Sequence, residues 1–136
     1  MCLQFLSLED CKDPLPAEGA SILTTRIDHF VYAVASLNEG IEWAADTFGV
    51  AAAYGGEHVG LGTRNALLSL GSTYLEIIAP DPAQSQEGNA GAQFANLTSG
   101  GMVTWVAEGD LNAIAKALDR AGVPTQGPNR TQRKTE

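Results

Sequence analysis

A chain of 136 residues can bury one hydrophobic core but hardly two. Its apolar fraction of 44% and charged fraction of 18% are those of a globular protein. No run approaches the about 18 apolar residues that cross a bilayer. A net charge of −8 opposes docking along a nucleic-acid backbone, because like charges would repel over most of the surface. Membrane and nucleic acid are therefore set aside as partners, and a small-molecule ligand remains. The N-terminal Met1 to Leu6 lacks the basic flank of a secretory signal and soon meets Glu9 and Asp10. Cys2 and Cys11 form neither a CxxC pair nor a Cys/His ligand spacing, which fits free thiols in a cytoplasmic protein.

Residues 1–25 read as an irregular leader, interrupted by Pro14, Pro16 and Gly19. A first module spans 26–82. It opens with Ile27 to Val34, rich in β-formers and apolar on both sides, as in a strand covered on both faces. Ser36 and Glu39 have capping-box spacing, and Ile41, Ala44, Ala45 and Phe48 recur at helical intervals before Gly49 ends the helix. Val50 to Gly62 is glycine-rich and predicts a bulged strand carrying Tyr54 and His58. Arg64 to Leu70 and Thr73 to Ala79 are two further strands joined by the tight turn Gly71-Ser72, with Pro80 and Pro82 closing the second.

A polar, glycine-containing linker follows over 83–101. The pattern then recurs in part over 102–130: a strand from Met102 to Val106, a cap at Asp110, and a stripe of Leu111, Ile114, Leu118 and Ala121 ended by Gly122. Asp110 stands to Gly122 nearly as Ser36 stands to Gly49, which suggests an internal duplication. At most one more strand fits between Val123 and Arg130, so the second copy is incomplete. Residues 131–136 form a basic tail in which Arg133 and Lys134 follow Arg130, and a solvated, frayed end is the simpler reading of that cluster.

Six residues stand out chemically. His29 shares a strand face with Ile27, Val31 and Ala33, where a histidine is more often a satisfied core residue than a ligand. Glu76 lies mid-strand between Leu75 and Ile77, and a carboxylate there needs a cation, a donor or water. A metal ion, His29 and Arg64 are the candidates, against an open sheet face that leaves Glu76 in solvent. His58 follows Glu57 among glycines that bend a strand rather than open a helix, so no phosphate cradle is implied. Asn65 and Ser69 share one strand face and either line a pocket or end a hydrogen-bond network. Tyr54 completes the set. No Ser-His-Asp or Cys-His arrangement can be assembled from two histidines and two N-terminal cysteines.

The segments Ile27-Asp28-His29-Phe30-Val31, Phe48-Gly49-Val50, Gly60-Leu61-Gly62-Thr63-Arg64-Asn65-Ala66-Leu67-Leu68 and Tyr74-Leu75-Glu76-Ile77-Ile78-Ala79-Pro80-Asp81-Pro82 resemble the glyoxalase-like domain of the vicinal oxygen chelate superfamily. The resemblance is close over Ile27 to Pro82 and looser over Met102 to Arg130. It implies an α+β fold built from a βαβββ module, with a second module incomplete in this chain and a cup completed by homodimerisation. It places His29 and Glu76 as ligands of a divalent metal (zinc, nickel, manganese or iron). Glu76 and His58 are then the catalytic candidates, His58 as an extra ligand or substrate contact, and Asn65, Tyr54 and Ser69 are the candidates for the substrate side. The second module offers no ligand at Met102 or Val103. The implied activity is a metal-dependent lyase, isomerase or dioxygenase acting on a small oxygenated substrate. The alternative within the superfamily is a metal-free, acidic, ligand-sequestering protein of the bleomycin-resistance type.

Overall fold

The computed structural model describes residues 25–128; the leader with Cys2 and Cys11, and the basic tail with Arg133 and Lys134, lie outside the described residues. The order of elements is β1 (Arg26–Ala33), α1 (Leu37–Phe48), β2 (Ala53–His58), β3 (Thr63–Ser69), β4 (Tyr74–Pro80), β5 (Gly101–Glu108) and α2 (Leu111–Arg120). The five strands form one sheet in the order β2-β3-β4-β1-β5. β1 and β4 are parallel, as the crossover through α1 requires, and every other pairing is antiparallel. The fold is α+β, a βαβββ unit followed by a strand and a helix that begin a second one. Among the described residues that second unit has no further strand, and no helix is long and apolar enough to cross a membrane.

α1 packs on one face of the sheet and encloses the core. Leu37 and Ala44 turn inward against Ala66, Leu68, Leu75, Ile77 and Ala79. Ile77 is fully buried, a contribution of roughly 1.5–3 kcal/mol from area removed from water. Trp43 lies flat on Tyr32, ring centroids 4.0 Å apart, and meets the edge of Phe48. The expected stripe keeps Ile41 and Ala44 on the core but is displaced by one turn along the same face: Leu37 is buried at the N-terminal end, while Phe48, expected inside, is largely exposed. Gly49 closes the helix in the left-handed region at φ 71°, its N–H bonded to Ala45 O.

The capping box is not formed. Ser36 occupies the N-cap position of α1 but its hydroxyl makes no cap hydrogen bond, whereas Asp110 caps α2 by accepting from the N–H groups of Asn112 and Ala113 at 3.0 Å. The hairpin between β3 and β4 turns through Gly71, with Leu70 N–H bonded to Thr73 O. Residues 81–93 form a folded loop, including a 3-10 turn at Ala90–Gln93, tied to the start of β3 through Gln86, which donates to Gly62 O and Asp81 O. β5 extends beyond the expected strand at both ends, and Arg26 pairs with Glu108 where it leaves β1.

Candidate functional site

Strand register decides which side chains meet. Val31 stands opposite Glu76, Leu67 opposite Glu76, and Thr63 opposite His58. Directly paired residues share a face, and so do residues two apart on one strand. His29, Glu76, Asn65, Thr63 and His58 therefore all fall on the face turned away from α1. The sheet brings four of the six singled-out residues together across four strands.

Glu76 is the centre. Its side chain is 12% exposed, and its two oxygens face different partners. Oε2 lies 3.3 Å from His29 Nε2. Oε1 accepts a hydrogen bond of 2.5 Å from Asn65 Nδ2 and lies 3.5 Å from His58 Nε2. Asn65 Nδ2 also reaches His58 Nε2 at 3.2 Å. On the far side of each imidazole, Asp28 Oδ2 is 2.7 Å from His29 Nδ1, and Thr63 Oγ1 is 2.9 Å from His58 Nδ1. The tight fit around Asn65 needs Gly55 on the bulge of β2, where a Cβ would run into the Asn65 amide.

The two histidines sit in different surroundings. His29 lies between two carboxylates, its ring stacked on Tyr74 with centroids 4.5 Å apart. The His29 hydrogen bond beside it holds the Asp28 carboxyl below its ordinary value, with help from the Tyr74 hydroxyl. His58 lies between a hydroxyl and an amide. Of the three cations open to Glu76 by sequence, Arg64 is excluded as a neighbour, since it alternates to the opposite side of β3 from Asn65 and its charge acts on Asp81.

Tyr54 and Ser69 stand apart from this group. Tyr54 pairs with Ala66 of the core, on the α1 side of the sheet edge, and its hydroxyl donates to Glu57 at 2.7 Å, which pushes the phenol up. Ser69 pairs with Tyr74 at the hairpin end and borders a cavity of about 320 Å³ with Asp28, Thr73 and Tyr74. The residues that sequence reasoning missed are Asp28, Thr63 and Tyr74. Asp28 was legible in principle, as a carboxylate adjoining a histidine. Thr63 and Tyr74 are found only through register.

An imidazole nitrogen and a carboxylate oxygen at 3.3 Å suit a divalent first-row cation, and Asp28 on the far nitrogen is the usual means of orienting such a ligand. Among the described residues, however, no group of three or more His, Cys, Asp or Glu side chains is disposed to hold one ion. His29 and His58 approach opposite oxygens of Glu76. Across the β1–β5 ladder His29 faces Val106, and β5 adds no ligand there. The described residues thus bring one imidazole and one carboxylate face to face, short of a full ligand set.

The glyoxalase-like domain family matches residues 27–135. The chain belongs to that family. No curated protein matches the chain. Among solved structures, methylmalonyl-CoA epimerase from Mycobacterium tuberculosis is 27% identical, covering 76% of this chain and 67% of its own, with a TM-score of 0.58. A variant methylmalonyl-CoA epimerase from Streptomyces coelicolor, in complex with 2-nitronate-propionyl-CoA, is 26% identical over 80% of this chain and 81% of its own, with a TM-score of 0.60. A hypothetical protein from Bacillus halodurans is 16% identical over 73% of this chain and 70% of its own, with a TM-score of 0.59, and shows the fold alone. These relatives place the glyoxalase-like domain within the vicinal oxygen chelate superfamily, whose members commonly use divalent metals.

Proposed function

We propose that this glyoxalase-like chain supplies half of a divalent-metal-assisted isomerase site that moves a proton beside a carbonyl of a small oxygenated acyl substrate. One observation carries the reading. Nδ1 and Nε2 of His29 both face carboxylates, so with Nδ1–H donated to Asp28 the Nε2 lone pair meets Glu76 Oε2 at 3.3 Å. Two acceptors approach this closely only with positive charge between them, either a proton or a metal ion. The likeness to epimerases at 25–27% identity supports an isomerase-type reaction over a lyase or dioxygenase.

In this reading His29 and Glu76 hold the cation, zinc, nickel, manganese or iron, and Asp28 and Asn65 orient them. When bound, the ion supplies Lewis-acid polarisation of two vicinal substrate oxygens. His58 is the proton acceptor on the same sheet face, and Asn65 and Ser69 border the substrate's approach. Tyr54, on the other face, has no place in this arrangement. The further ligands come from a second copy of the chain, because among the described residues β5 pairs with a neighbour on one edge only and its apolar side chains stand open.

The net charge of −8 and the two-donor ligand set favour a second reading, a metal-free protein that sequesters a cationic small molecule. Titration of the chelator-treated protein with Mn²⁺ or Zn²⁺ separates the two. We expect saturable binding by the wild type and a loss of about tenfold or more for His29→Ala and for Glu76→Ala. A wild-type protein that takes up neither ion, yet binds a cationic aromatic compound without exchanging its protons for deuterium, would sink the isomerase reading.

A further inference from the structure

The hydrogen bonds around Glu76 fix more than the position of His58. An ionised carboxylate only accepts, so the Asn65 atom at 2.5 Å from Glu76 Oε1 is the amide nitrogen, and a flipped amide would set oxygen against oxygen. That nitrogen carries two hydrogens. One goes to Glu76, and the other points to His58 Nε2 at 3.2 Å. Nε2 is therefore an acceptor, with its lone pair on the site side of the ring. The ring proton of neutral His58 then sits on Nδ1 and is donated to Thr63 Oγ1 at 2.9 Å.

We infer that Thr63 is a positioning residue, which accepts the Nδ1 proton of His58 and so, together with the donor nitrogen of Asn65 at Nε2, keeps Nε2 a bare proton acceptor beside Glu76. The inference rests on the isomerase reading for its purpose but not for its test. Thr63 is 1% exposed and pairs with His58 across the β2–β3 ladder, so the hydroxyl has a fixed place. The neighbouring turn supports the same geometry, since Leu61 N–H bonds back to His58 O. A free neutral imidazole prefers its proton on Nε2, the arrangement that would aim a donor into the site and leave it unable to take a proton from a substrate. The 3.2 Å bond from Asn65 is the longest of the three that link Thr63, His58, Asn65 and Glu76, and a substrate proton that approaches Nε2 replaces it. The class of ligand that follows is a carbon acid whose acidic C–H lies next to a carbonyl, its proton passing from carbon to Nε2 to leave the enolate.

The chain has only two histidines, which makes the test direct. Full-length protein labelled with ¹⁵N-histidine is treated with chelator and examined by ¹H–¹⁵N multiple-bond correlation, with His29→Gln used to assign the His58 pattern. We expect wild-type His58 to show a protonated Nδ1 and a bare Nε2. Thr63→Val should move it towards the Nε2–H form and Thr63→Ser should restore it, while Mn²⁺ affinity stays within about threefold of wild type in both. A wild-type His58 protonated on Nε2, or a Thr63→Val protein with an unaltered tautomer, overturns the inference. The wild-type spectrum decides even where Thr63→Val does not fold. If wild type binds no metal but His58 shows the bare Nε2, the isomerase reading falls and the positioning role of Thr63 stands.

Discussion

The β1–α1 pair and the β5–α2 pair begin alike, each a strand running into a helix with an N-cap position and a terminal glycine, yet they end in different surroundings. α1 lies over β1, β3 and β4 and buries Leu37, Gly40 and Ala44, while beneath it Ile77 is 0% exposed. α2 has the better cap and a sharply two-sided sequence, but none of its residues is buried. Its strand β5 leaves Trp105 61% exposed, beside Met102 and Val103. Local signals are enough to specify a helix as an element, whereas the packing that stabilises it must come from strands far away in sequence.

The largest expected effect tests that difference directly. Ile77→Ala should lower the stability of the chain by about 2–5 kcal/mol, read as a shift of the denaturant midpoint. Trp105→Ala should stay within about 0.5 kcal/mol of wild type when the chain is dilute. The proposed homodimer adds a concentration-dependent counterpart: light scattering at higher concentration should give twice the chain mass for wild type and a single mass for Trp105→Lys. A Trp105→Ala variant as unstable as Ile77→Ala at high dilution would mean that β5 is covered within one chain, and the contrast between the two pairs would collapse.

A smaller effect runs the other way, against the second pair. Asp110→Ala removes an acceptor of two backbone N–H groups and should cost α2 about 1 kcal/mol, read from faster hydrogen exchange of its first turn. Ser36→Ala should change the exchange of α1 by no more than about 0.3 kcal/mol, because its hydroxyl caps nothing. Equal effects at the two positions would show that Ser36 does cap α1 in solution.

Much of the first unit was legible in the sequence because alternation, the glycine stop at Gly49 and the short turn at Gly71 each report on a few neighbouring residues. The residues of β4 show the limit. Glu76 declares itself by being a carboxylate in an apolar strand, but which cation meets it depends on the parallel register with β1 and the antiparallel register with β3, neither of which is a local property. The same holds for Thr63, an ordinary β-former until β2 pairs with it. Ser36 and Glu39 have the spacing of a capping box and do not form one, and Phe48 fits the helical period yet points outward: spacing permits a contact, and the packing of α1 on the sheet decides it.

The smallest effect concerns acid. Asp81 ends β4 and holds the 81–93 loop, which gives the first unit a closure that no loop provides for β5 and α2 among the described residues. Its carboxylate accepts from the Gln84 side chain at 2.7 Å and from Ala83 N–H at 3.0 Å, and these bonds lower its pKa below the ordinary 3.8. The unfolded chain then binds this proton more tightly than the folded one. The stabilisation is fully present above pH 3.8 and is lost as pH falls through the lower folded value. Asp81→Asn should therefore flatten the acid limb of the stability curve below pH 3.8 and leave its slope near neutrality unchanged. Chemical denaturation of both proteins at a series of pH values checks it, and parallel acid limbs would show that Asp81 contributes nothing to the closure of the first unit.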